Sequence, residues 1–156
     1  MGRSRGGFGS KLHLLTCGEG VVLAATLTAG QAHASKQLEP LLDRVKVGRR
    51  QRGRAVACDR AYDTPACRPA IRRRGMRGVI PAKRLAPGKR RRRRGRPPKF
   101  DRRLYPRRNV VERTIGSLKR FRRLATRYEK LAVNFMAFVQ LAITVLLIRK
   151  LFSDDA

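Results

Sequence analysis

Residues 55–82 read AVACDRAYDTPACRPAIRRRGMRGVIPA. AVACD (55–59) is a short apolar run ended by an acid, and GVIPA (78–82) is a second run ended by Pro81. Apolar runs of this length, bounded by turn residues, suit buried strands. Between them, Asp63-Thr64-Pro65 reads as a helix start, with Asp63 as the cap and Pro65 in the first turn. That helix is expected to reach about Arg74 and close at Gly75. Strand, helix and strand in succession imply a parallel pairing and an α/β class, with Asp59 at the carboxyl end of the first strand.

Working outward, KLHLLT (11–16) and VVLAATLT (21–28) flank Gly18-Glu19-Gly20 and predict a β-hairpin. AGQAHAS (29–35) ends in Ser35, a suitable N-cap, and His33 within it reads as structural. Leu38, Leu41, Leu42 and Val45 have helical spacing, and that helix should stop before Gly48. Residues 83–104 are dense in Arg, Lys, Pro and Gly and read as a basic, mobile loop. Two long helices are expected after it, from about Pro106 to Arg127 and over 130–152.

The chain has 156 residues and 42% apolar content, which suits one domain with a core. A formal charge of +29 opposes compaction and calls for an anionic partner. Nucleic acid comes first because phosphate neutralisation dominates that kind of affinity; ribosomal RNA and anionic membrane surfaces compete. Cys17, Cys58 and Cys67, with His13 and His33, offer neither a disulfide framework nor a zinc cluster, which points to a reduced, cytosolic compartment. The N-terminal MGRSRGGFGSKLHLL lacks a signal-peptide apolar stretch. Residues 131–148 carry no charge, but their length is marginal for a span and they include Asn134, Gln140 and Thr144, so a buried C-terminal helix is expected rather than a membrane segment.

YPRRNVVERTIGSLK (105–119) places one carboxylate, Glu112, among cations. On a helical wheel Tyr105, Arg108, Glu112 and Lys119 share an arc of about 60°. Val111, Ile115 and Leu118 lie beside it, facing the core, and Arg113, Arg120 and Arg123 face outward. Spacing alone permits a solvated Arg–Glu pair worth a few tenths of a kcal/mol. It favours that pair over the other reading, a carboxylate that holds a divalent cation next to phosphate-binding cations, with Asp59 as the second oxygen ligand.

Tyr105, Arg108, Glu112 and Lys119 also fit the pattern Y-x2-R-x3-E-x6-K, and the chain resembles bacterial insertion-sequence transposases of the DDE type, which have an RNase H-like fold. GRSRGGFGSKLHLLT (2–16), LTAGQAH (27–33), CDRAYDT (58–64) and RNVVERTIGSLKRFRRLATRYEKLAVNFMAFVQLA (108–142) agree with that family. The resemblance implies DNA cleavage and joining at insertion-sequence ends by a two-metal mechanism using Mg²⁺, with Mn²⁺ as a substitute. Asp59 and Glu112 would be the catalytic metal ligands. Arg108 and Lys119 would contact DNA near the cleaved end, and Tyr105 would help position it. A cytoplasmic, nucleoid-associated enzyme acting as a homo-oligomer is implied, without a membrane.

The family triad has three acids, the first on a strand that precedes the GRSRGG stretch. Glu19, Glu39, Asp43 and Asp101 do not replace it. The expectation is therefore an RNase H-like core lacking its first strand, with a separate N-terminal transposase portion supplying the first Asp. Frameshift product, split chain and decayed remnant remain open, and the isolated chain is expected to be inactive. Arg94-Gly95-Arg96-Pro97 resembles an AT-hook core and offers Arg94 and Arg96 as DNA-binding residues, by phosphate contact or in the minor groove. The alternative is a non-enzymatic basic DNA- or RNA-binding protein, for which two acids among arginines have no use.

Overall fold

The computed structural model describes residues 2–4, 7–45, 53–83 and 100–152. The chain divides into two compact units, one of Met1–Lys46 with Asn109–Ala156, the other of Val47–Arg108. The class is mixed α/β.

In the first unit, β1 (Gly2–Ser4), β2 (Gly7–Thr16) and β3 (Val22–Ala29) form an antiparallel sheet in that order. The expected hairpin is β2–β3, which pairs Ser10 with Ala29 and Leu15 with Ala24 before a bulge shifts Thr16 onto Val22. Gly20 turns the chain at φ 89°, a conformation that disfavours side chains with a Cβ. Along β3, Ala24 and Thr26 are buried while Leu23 is exposed, the alternation of a strand with one face on a core. His13 is buried on β2 with Nε2 2.8 Å from Thr28 Oγ1. Burial, helped by the Lys11 charge, pushes the His13 imidazole below its ordinary pKa.

The next helix starts earlier and tighter than Ser35 suggests. Residues 34–37 form a 3₁₀ turn capped by the His33 ring, which accepts from the Ser35 amide, and α1 (Leu38–Arg44) follows. Leu38, Leu41 and Leu42 are buried against the hairpin.

The expected single helix from Pro106 to Arg127 is instead three pieces. Residues 105–108 make a 3₁₀ turn, α3 spans Asn109–Lys119, and α4 spans Arg122–Thr126. Like charges crowd the point of the break, each pair weakening a helix by about a few tenths of a kcal/mol. An unbroken helix would stack Lys119 and Arg120 on Arg122 and Arg123 at spacings of three and four, where like charges repel. The chain instead takes an extended conformation at Phe121 and restarts. α5 (Ala132–Phe152) stands where the last helix is expected and packs against α3, α4 and β3 through Phe135, Val139 and Ala142, but it is not the buried helix that the sequence suggests, because only that one side meets the rest of its unit. It is the one described helix long and apolar enough, by length and composition, to cross a membrane, yet only 17% of its apolar window is buried.

In the second unit, β4 (Ala55–Ala57) and β5 (Arg77–Val79) pair in parallel, Val56 opposite Gly78. α2 (Cys67–Arg73) makes the crossover, burying Cys67, Ala70 and Ile71 on the pair. Gly75 ends α2 at φ 72°, with its amide on Arg72 O and the Met76 amide on Ile71 O. Of the basic stretch 83–104, residues 84–99 lie outside the described residues; residues 100–104 form an ordered turn rather than the end of a mobile loop.

Candidate active site and nucleic-acid interface

The parallel strand–helix–strand element delivers Asp59 just beyond the carboxyl end of β4, where the Cys58 amide still bonds Val79 O at 3.1 Å. Asp59 is exposed. Its Oδ1 accepts from the Ala61 amide at 2.8 Å and caps the 3₁₀ turn Arg60–Tyr62, which fixes the carboxylate's direction. No bond to Oδ2 is made from the described residues. A fixed, exposed carboxylate with a spare oxygen is a suitable donor for a hard divalent cation.

Asp63 is not the helix cap that Thr64-Pro65 suggests. It is buried, with Oδ1 3.4 Å from Arg68 Nε and Nη2 and Oδ2 accepting from the Lys83 amide at 2.9 Å. The capping contact falls to Thr64 Oγ1, which accepts from Cys67 N, so α2 begins two residues past Pro65. The neighbouring Cys58 thiol is pushed up to about 12, first by burial and then by Cys67 and Asp59. Such a thiol stays protonated and is no nucleophile near neutral pH.

Tyr105 sits in a built platform of the same unit. Asp101 Oδ1 accepts from the amides of Arg103 and Leu104, and Oδ2 pairs with Arg77 Nη2 at 2.8 Å. These bonds hold the Asp101 carboxyl below the usual range, the Leu104 amide contributing most. The turn they close places Phe100 and Tyr105 with ring centroids 5.1 Å apart, and the Arg108 guanidinium lies 5.7 Å from the Tyr105 centroid. Tyr105 is in a 3₁₀ turn, so the helical wheel that grouped it with Glu112 does not apply to it. Sequence reasoning missed Phe100, Asp101 and Arg77 as supports. The Asp101 pattern, an acid two and three residues before the amides it binds, was the available signal.

Glu112 and Lys119 belong to the first unit, on α3. Glu112 is in the first turn and Lys119 in the last, each placed to complement the helix dipole. Both are exposed, on an outward face with Asn109, Arg113, Gly116 and Arg120. The inward face buries Thr114 and Leu118, with Val111 and Ile115 half-buried beside them. Thr114 Oγ1 reaches both Val110 O at 3.0 Å and Gly20 O at 3.3 Å, which ties α3 to the hairpin turn. Thr114 and Gly20 are therefore positioning residues for Glu112 that spacing alone did not reveal.

Two further acids have cationic neighbours. Glu129, with a side chain only 5% exposed, pairs with Arg123 at 2.9 Å. Glu19 lies 3.9 Å from Lys150. Among the described residues no group of three or more His, Cys, Asp or Glu side chains could hold a metal. Arg94 and Arg96 lie outside the described residues.

Residues 2–147 match the transposase DDE domain family. The chain belongs to that family. A Burkholderia cepacia relative, named for a transposase of insertion sequence element IS402, is 38% identical over 139 residues. The match takes in 85% of this chain and 60% of the relative, so this chain spans less than two thirds of that protein. A Brucella ovis relative, named for a transposase of insertion sequence element IS6501, is 33% identical over 141 residues, 90% of this chain and 98% of its own. No solved structure matches at a significant level.

Proposed function

We propose that this chain is part of the catalytic domain of an insertion-sequence DNA transposase. The observation that carries the reading is the family match over residues 2–147, which takes in both exposed carboxylates, Asp59 and Glu112. An RNase H-like architecture is the proposed fold; a mixed α/β chain with a parallel strand–helix–strand element is compatible with it.

Asp59 and Glu112 are the proposed ligands for Mg²⁺, and their oxygen donors suit that ion. When bound, two such ions would stabilise the attacking and leaving oxygens of a phosphodiester. This chain's own residues orient the carboxylates, Asp59 through the Ala61 amide and Glu112 through the Thr114 anchor of α3. Arg108 and Lys119 are proposed to take DNA phosphates and Tyr105 to stack or bond at the DNA end. Arg94 and Arg96 are proposed to add phosphate or minor-groove contacts. A third acid is proposed to come from an additional transposase portion; the buried Asp63 and the paired Asp101 and Glu129 are committed to structural contacts. We place the assembled enzyme in the bacterial cytoplasm, on nucleoid DNA, as a homo-oligomer.

The test is strand cleavage and joining on DNA carrying insertion-sequence ends, with Mg²⁺ or Mn²⁺, using this chain alone and with an N-terminal portion from a full-length relative. Activity is expected only in the combination, and Asp59→Asn and Glu112→Gln are expected to abolish it while DNA binding persists. DNA binding with no cleavage in any combination would leave a non-enzymatic basic binder. Cleavage untouched by Glu112→Gln would remove Glu112 from the site.

A further inference from the structure

Phe121 is the residue at which the backbone between α3 and α4 turns extended. Its half-buried side chain lines a cleft on either side. One cleft, about 330 Å³, is completed by Ser117, Arg120, Leu146 and Arg149. The other, about 230 Å³, is walled by α4 and has Leu141, Ala142 and Val145 as its floor. The α5 positions that line the two are 138, 141, 142, 145, 146 and 149, a single helical stripe. The clefts are therefore two ends of one groove along α5, about 16 Å long by the rise per residue, room for about three turns of a helix. Floor and rim differ in chemistry. Leu141 is 60% exposed, with Val145 and Leu146 half-buried beside it. Arg120, Arg122 and Arg149 stand exposed at the rim, and none of them pairs with an acid among the described residues. No described carboxylate lines either cleft.

We propose that this groove docks an acidic amphipathic helix of a partner protein, with its apolar face on the floor and its Glu and Asp side chains against the rim arginines. Charge and shape choose the occupant. An aliphatic bed between cations is complementary to an apolar seam flanked by acids. The walls are helices, whose backbone groups are bonded internally, so the occupant adds no strand to them and satisfies its own backbone as a helix. Duplex DNA would satisfy the arginines through its phosphates but leave Leu141 and Leu146 uncovered. Unpaired bases need flat rings to stack on. Of the two rings that line the groove, Phe138 is already taken, with the Arg123 guanidinium 4.4 Å from its centroid and Glu129 holding that arginine at 2.9 Å. A second copy of α5 offers the rim no acid, since residues 131–148 carry no charge and Arg149 and Lys150 follow them.

The test is fluorescence anisotropy of a labelled peptide of about 15 residues with the whole chain, at about 0.3 M salt, where charge attraction alone is strongly screened. The peptide carries Leu at spacings of three and four and Glu on the flanking positions; the control has the same residues in scrambled order. Binding with a dissociation constant on the order of 10 µM is expected, and the control should be at least ~10-fold weaker. Leu141→Asp, at an exposed position, should keep the helix content and weaken the patterned peptide by at least ~10-fold. Val133→Asp, at a site 71% exposed and outside both clefts, should change it by less than ~2-fold. Arg120→Glu with Arg149→Glu should lose the acidic peptide and gain a version with Lys in place of Glu. Equal binding of the patterned and scrambled peptides overturns the proposal, since charge alone then explains the contact. Equal effects of Leu141→Asp and Val133→Asp overturn the groove as the site. Binding of oligo-dT or of anionic lipid vesicles that falls with Leu141→Asp, where peptide binding does not, assigns the groove to single-stranded nucleic acid or to a membrane and overturns the acidic helix. The readout is peptide binding without DNA, so it stands apart from whether the chain is an active transposase.

Discussion

Replacing Asp63 by Ala should damage the fold, whereas replacing Asp59 by Ala should not. The Asp63 side chain is 1% exposed. Its loss leaves the Lys83 amide without the acceptor at 2.9 Å, a cost of about 1–2 kcal/mol for a buried donor. Arg68 loses its carboxylate, but the contacts are long at 3.4 Å, and its Nη2 keeps the Ile80 carbonyl at 2.7 Å. That share is accordingly below the several kcal/mol of a fully stranded buried charge. Together the expected loss is about 3 kcal/mol, a large part of the stability of an ordinary domain. Asp59 is exposed and makes one capping bond to a single 3₁₀ turn, so Asp59→Ala should cost about 1 kcal/mol or less. The assay is urea unfolding followed by far-UV circular dichroism and tyrosine fluorescence, since the chain has no Trp. In thermal melts the Asp63 variant should drop by roughly 6–12 °C. An Asp63→Ala variant within about 0.5 kcal/mol of wild type, or an Asp59→Ala variant that is the less stable of the two, would refute the reasoning.

Four other outcomes are expected. Gly20→Ala should cost about 1–2 kcal/mol in calorimetry: its φ of 89° is strained for alanine, while an added Cβ would meet Thr114 Oγ1 at an ordinary 3.5 Å. Val139→Ala, at a fully buried site on α5, should cost about 2 kcal/mol by urea unfolding. His13 has a folded-state pKa below its ordinary 6.5, so the unfolded chain binds the extra proton first. Its contribution is therefore fully present above pH 6.5 and is lost as pH falls from there through the depressed value; His13→Gln should flatten that part of a melting-temperature profile. Lys119→Ala should weaken DNA binding evenly across sequences and reduce the slope of log affinity against log salt by about 1 in a titration.

Much of the fold was legible locally. The hairpin, the strand–helix–strand element and the last helix follow from apolar period and from glycine placement at residues 20 and 75. The broken helix was missed because apolar spacing continues across Phe121, while the backbone turns extended there between α3 and α4. Tyr105 was grouped with Glu112 on a wheel that assumes one regular helix, and the 3₁₀ turn before α3 removes that assumption.

The sequence by itself determined the family, the cationic character and the two carboxylates that stand out among arginines, because these depend on residue identity and on short spacing. The tertiary structure decided which acid is available. Asp59 and Asp63 sit four residues apart in similar local patterns. Only the folded chain brings the Lys83 amide to Asp63, twenty residues away, and buries that carboxylate against Arg68 while Asp59 stays at the surface. Likewise, composition could not tell whether α5 was a core helix. One side of it packs and the other does not, which depends on what lies beside it, and no local pattern records that.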